Sequence, residues 1–80
     1  MDDSAVHAHI EALVAEEHHL LARGEEHHFS DAERARLAAV EVQLDRYYDL
    51  LRQRRARREF KQDPESAQLR SGETVEHYRQ

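Results

Sequence analysis

Eighty residues with a net charge of −5, 36% charged and 39% hydrophobic, make one domain at most and only a thin core. There is no Cys, which excludes a disulfide framework and a thiolate metal site, and there is no apolar run long enough to span a membrane. The start, Met1-Asp2-Asp3-Ser4, is acidic and lacks the apolar stretch of a secretory signal, so a cytoplasmic protein is expected.

Gly and Pro are scarce, and Ala, Glu, Leu and Arg dominate, as in long helices. Any of Asp2, Asp3 or Ser4 can cap a first helix. Apolar residues then recur at Val6, Ile10, Leu13 and Leu20, with Glu17 at the missing step, in the alternating four-and-three spacing of a coiled-coil seam. Val14 and Leu21 widen that stripe to one side. Gly24 is the expected C-terminal cap, which puts the first helix at about 4–23.

Residues 24–29 read as the turn, and Ser30-Asp31-Ala32-Glu33 fits a capping box. The second helix is expected over about 30–62, ending before Pro64. Its seam is Leu37, Val40, Leu44, Tyr47 and Leu51, and the next two seam positions are Arg54 and Arg58. The fold class is therefore all-α, an antiparallel helical hairpin over 1–62. The tail, 63–80, is polar, with a turn signal at Ser71-Gly72 and anchors at Leu69, Val75 and Tyr78, and partial order is expected there.

Two helices leave the Val14, Leu21, Tyr48 and Leu50 surface wet, and a patch of that kind usually meets something. A homodimer closing into a four-helix bundle is the expected solution, with Leu13, Leu20, Leu37, Val40, Leu44, Tyr47 and Leu51 at the interface. Docking on a different protein is the other.

Charge is distributed unevenly. Residues 1–50 balance at −8, residues 51–61 at +5 and residues 62–80 at −2. Folding the chain at about residue 27 leaves the segment from Arg52 to Lys61 without a partner from the first helix, as a projecting basic arm. Its cations are Arg52, Arg54, Arg55, Arg57, Arg58 and Lys61. Arg presents a planar fork suited to carboxylate or phosphate. Pairing with an acidic surface, on a second copy or on an acidic protein partner, is the favoured reading. Phosphate or nucleic-acid binding is the alternative. It is not favoured, because the rest of the chain is acidic and no aromatic side chains interleave with the arm for base stacking.

Seven histidines raise a metal question. Glu16-x-x-His19 has the spacing of helical-bundle metal sites, and Glu41 borders the second seam at a similar depth. With Glu17 on the seam, however, His19 points outward, and the second helix has no Glu-x-x-His. Glu16, His19 and Glu41 thus remain weak candidates, and no cofactor is expected. Glu17 is better explained as a polar seam residue that fixes register, met by Arg36 or by an arm arginine. A shift of association between about pH 7 and 5.5 would follow if the histidines titrate near their ordinary value. An enzyme is not expected: the serines sit at caps, turns or the tail, and no Gly-rich phosphate loop exists.

Leu13-Val14-x-Glu16-Glu17-His18-x-Leu20, then the run from Asp49 to Phe60 (DLLRQRRARREF), then Asp63-Pro64-Glu65 and Val75-Glu76-x-Tyr78, resemble a small actinobacterial family catalogued as a domain of unknown function. The resemblance covers most of the chain except the turn, where His27-His28 departs from the pattern. It implies no activity. It marks the arm and the Glu16-Glu17-His18 stretch as characteristic features.

Overall fold

The computed structural model describes residues 1–78, and among them the regular structure is helical throughout. Helix α1 spans Asp3–Glu26, α2 spans Asp31–Glu59, a 3-10 turn covers Pro64–Ser66, and α3 spans Gly72–Tyr78. Helices α1 and α2 form the expected antiparallel hairpin, a rod of 50 × 26 × 15 Å with the tail folded back along α2. Among the described residues α1 and α3 each pack on α2 and not on each other.

The start of α1 is capped by Asp2, whose carboxylate accepts the Ala5 N–H at 2.8 Å. Its end differs from the expectation. Gly24 lies inside the helix, which runs on to Glu26 and is capped by an extended His27. The glycine serves close approach instead of reversal: a Cβ at position 24 would lie 2.3–2.8 Å from the Phe29 ring. Ser30 and Glu33 form the capping box that opens α2, with Glu33 N–H donating to Ser30 Oγ at 3.0 Å and Ser30 N–H to Glu33 Oε1 at 2.9 Å.

Helix α2 stops at Glu59, three residues short of the expected end. Lys61 takes the left-handed conformation at φ 59°. Gln62 N–H then bonds Arg57 C=O at 2.7 Å and Lys61 N–H bonds Arg58 C=O at 3.1 Å. This is the paired closure normally built on glycine. It turns the chain before Pro64 can act.

The core is Val6, Ile10 and Leu20 of α1 with Val40, Leu44 and Leu50 of α2. Leu13, Leu37, Tyr47 and Leu51 pack against it half-buried. All seven seam residues therefore contribute to the hairpin's own core, Leu20, Val40 and Leu44 fully and the other four in part. Leu50, expected to be open, is buried; Ala67 and Leu69 of the tail pack against the same cluster. Val75 of α3 is also buried, at 2% exposed. The Tyr78 side chain, the third expected anchor, lies outside the described residues.

The irregular tail is held by polar side chains of α2, as unpaired backbone carbonyls require. Arg46 Nε donates to Arg70 C=O at 2.8 Å, Gln53 Nε2 to Gln68 C=O at 2.7 Å, and Arg54 Nη1 to Pro64 C=O at 3.2 Å. Ser71 caps α3, its Oγ accepting the Thr74 N–H at 3.2 Å.

Candidate interaction surface

The basic segment divides into two parts. Arg54 is buried, at 5% exposed. It donates to the Asp3 carboxylate and, at 2.6 Å, to Met1 C=O, and it sits 3.1 Å from Glu65 Oε1. Arg58 reaches the other oxygen of Asp3 at 3.0 Å. Hydrogen bonds from Arg54 and then Arg58 hold the Asp3 carboxyl below the usual carboxylate range. The expected overhang is thus corrected. Helix α1 is longer than expected at both ends, so Asp3 reaches Arg54 and Arg58, and the 3-10 turn covers Arg54 from the other side. Arg52, Arg55 and Lys61 remain exposed, and Arg57 is half-buried with its Nε lacking a hydrogen-bond partner.

Beside the seam lies a shallow groove of about 540 Å³. Helix α2 forms its floor with Ala38, Glu41, Asp45 and Tyr48; Val14 and Glu17 of α1 form one wall, and Glu76 of α3 the other. Tyr48 is 42% exposed and Leu21, on the same side of α1 as Val14, is 43% exposed. The groove thus combines apolar surface with four carboxylates. Glu17, expected on the seam, is half-buried at its edge. Arg36 does not meet it: the guanidinium grips Glu16 instead, through Nε and, at 2.6 Å, through Nη2. That grip holds the Glu16 carboxyl below its ordinary range. Asp49 is buried and accepts a hydrogen bond from Gln53 Nε2 at 2.9 Å.

The opposite side of the hairpin carries a second hollow with His9, Glu16, Arg36 and Tyr47. His9 and Tyr47 stack there, with centroids 4.9 Å apart and planes 7° from parallel. Near the turn, Arg23 Nε donates to Glu33 at 2.9 Å. The Ser30 backbone N–H, followed by Arg23, pulls the Glu33 carboxyl from 4.5 down to about 2. The metal candidates are not brought together: Glu16 is on Arg36, His19 is exposed on α1, and Glu41 lies in the groove. Among the described residues no group of three His, Asp or Glu could hold a metal ion, and no helix is long and apolar enough to cross a membrane.

The sequence reading missed Arg46, Gln53 and Arg54 as the residues that fasten the tail. A signal was present. Val42 and Asp49, and Arg46 and Gln53, are each seven apart, so α2 carries another stripe beside the seam, facing α3 and the loop.

The whole of residues 2–80 matches the family model described as protein of unknown function (DUF2630). Two uncharacterized mycobacterial proteins, Mb0922c of Mycobacterium bovis and Rv0898c of Mycobacterium tuberculosis, are each 44% identical to the chain over 77 residues, which is 95% of this chain and 88% of theirs. No solved structure matches it. With the long hairpin, the Arg54 fastening and the family match extending over the same residues, the chain belongs to the DUF2630 family of actinobacterial proteins.

Proposed function

We propose that the protein is a non-enzymatic assembly module that meets another protein through the outer groove of the hairpin. The observation that carries this reading is the contrast between two faces of the hairpin. The seam packs its apolar side chains against the core within the chain, while Tyr48 and Leu21 stay exposed and half-buried Val14 lines a groove edged by carboxylates. Exposed apolar surface with a charged rim is what interaction sites present. Arg52 and Arg55, at the basic end of the same helix, would contact an acidic surface on the partner.

Phosphate or nucleic-acid binding has less support. Arg54 and Arg58 are engaged by Asp3. The acidic groove adjoins the exposed arginines and would repel a polyanion.

A photo-crosslinking residue in place of Tyr48, introduced in the native host, tests the assembly reading. It should give a protein adduct, and the same residue in place of the outward His19 should give none. No adduct from position 48 would remove the reading.

A further inference from the structure

We propose that the occupant of the groove is a second copy of this chain, docked α2 against α2 in an antiparallel, two-fold arrangement whose axis passes near Tyr48. The proposal rests on the assembly reading and names its partner.

Arg34, Ala38, Glu41, Asp45, Tyr48, Arg52 and Arg55 follow one another at spacings of four and three in strict alternation. That is the period of a helix-packing seam. It runs beside the filled seam of Leu37, Val40, Leu44, Tyr47 and Leu51, rotated toward the groove. Glu41, Asp45 and Tyr48 form part of the groove floor. Arg52 and Arg55 continue the line beyond it and are exposed. Helix α2 thus has a second periodic stripe that is exposed at Arg34, Ala38, Glu41, Tyr48, Arg52 and Arg55, with Asp45 half-buried and already engaged within the chain.

The stripe is self-complementary only in one direction. At a rise of about 1.5 Å per residue, the acidic pair lies roughly 4.5–10 Å before Tyr48 and the cationic pair roughly 6–10 Å after it. The lever arms match. An antiparallel copy centred on Tyr48 sets Arg52 and Arg55 over Asp45 and Glu41 of the other chain, and the two-fold repeats the contact at the far side. A parallel copy would lay acid on acid and cation on cation. Glu17 at the groove wall adds to the charge that the incoming arginines meet, and Tyr48 supplies apolar contact at the axis. Two hairpins joined this way form a four-helix assembly through the outer stripe.

The test is solution mass by light scattering on the full chain with a charge-reversed pair of variants. Wild type should approach twice 9.4 kDa at low salt and move toward 9.4 kDa as salt is raised. Arg52→Glu/Arg55→Glu and Glu41→Arg/Asp45→Arg should each weaken self-association by about 100-fold or more, because every opposed pair becomes repulsive. Mixing the two variants should restore a heterodimer, since acid again faces cation at both ends, and the chain carrying all four changes should dimerise with itself. Circular dichroism on each variant separates lost assembly from lost folding, and Glu41→Arg alone provides a milder change if the double variant unfolds. A monomeric wild type at millimolar concentration would overturn the proposal, as would a dimer that both variants leave intact. A monomer that still crosslinks from position 48 to a different protein would sink the self-association but keep the assembly reading. A monomer with no adduct would sink both.

Discussion

Replacing Gly72 by Ala sets a local preference against a packing constraint. Ala is the better helix former by about 1 kcal/mol, so intrinsic propensity predicts a gain. The packing predicts a loss. A Cβ at position 72 would lie 2.6 Å from Val42 Cγ1, whereas carbon atoms in contact sit about 3.5–4.0 Å apart. Val42 is β-branched on a helix and largely confined to one rotamer, so it cannot swing aside. Helix α3 must then retreat by roughly 1 Å, and overpacking of this kind costs about 1–3 kcal/mol. The ceiling is complete release of α3, which would expose Val75, now 2% exposed and worth about 1.5–3 kcal/mol when buried. A net loss of about 1–2 kcal/mol is expected, with a melting point lower by roughly 4–8 °C for each kcal/mol. Urea unfolding followed by circular dichroism gives the total. Exchange of the Val75 amide, which donates to Ser71 C=O at 3.1 Å, reports α3 itself. Val42→Ala in the Gly72→Ala background should recover part of the loss. Equal or greater stability in Gly72→Ala would refute the packing argument.

Arg54→Met keeps the buried stem and removes the fork; the Asp3 carboxyl should return toward its ordinary value in an NMR titration, and exchange should accelerate in the first turn of α1 and around Pro64 together. The depressed Glu33 carboxyl makes a pH prediction: because its folded value of about 2 lies below the ordinary 4.5, its contribution is complete above about pH 4.5 and is lost as pH falls toward 2. Glu33→Gln should flatten that acid limb in unfolding curves taken across the same window, and an unchanged limb would show that other carboxylates set it. Lys61→Gly should raise stability by roughly 0.5–1 kcal/mol in urea unfolding, since the left-handed backbone costs an L residue about 1–2 kcal/mol and glycine's own entropy takes back part of the relief.

The hairpin was legible because its information is local. The seam spacing, the capping box at Ser30 and the apolar positions of both helices depend on neighbours within a turn or two. What was not legible depends on contacts distant in sequence. Gly24 has the composition signal of a helix end, and only the return of Phe29 shows that it is a close-approach site. Arg54 looked like one cation among six. Its burial follows from where Asp3 and Pro64 arrive, and both lie outside its own helix. The stop of α2 at Glu59 rests on a lysine in a glycine conformation, which no propensity favours. The groove was half legible: of the four residues expected on an open face, Leu21 and Tyr48 are exposed, Val14 is half-buried and Leu50 belongs to the core.

Because α1 and α3 share α2 and, among the described residues, do not pack on each other, the two layers are energetically separable. A cavity made under α1 by Val6→Ala and one made under α3 by Val75→Ala should lower stability by amounts that sum to within about 0.5 kcal/mol. At the end of the rod where Arg54 holds Asp3 and Pro64 at once, the sum should fail. A grid of paired substitutions would therefore be flat over most of the molecule and show coupling around this one side chain. The α3 layer could be redesigned residue by residue without disturbing the hairpin, provided that Arg54 and the contacts of Ala67 and Leu69 with the core are left in place.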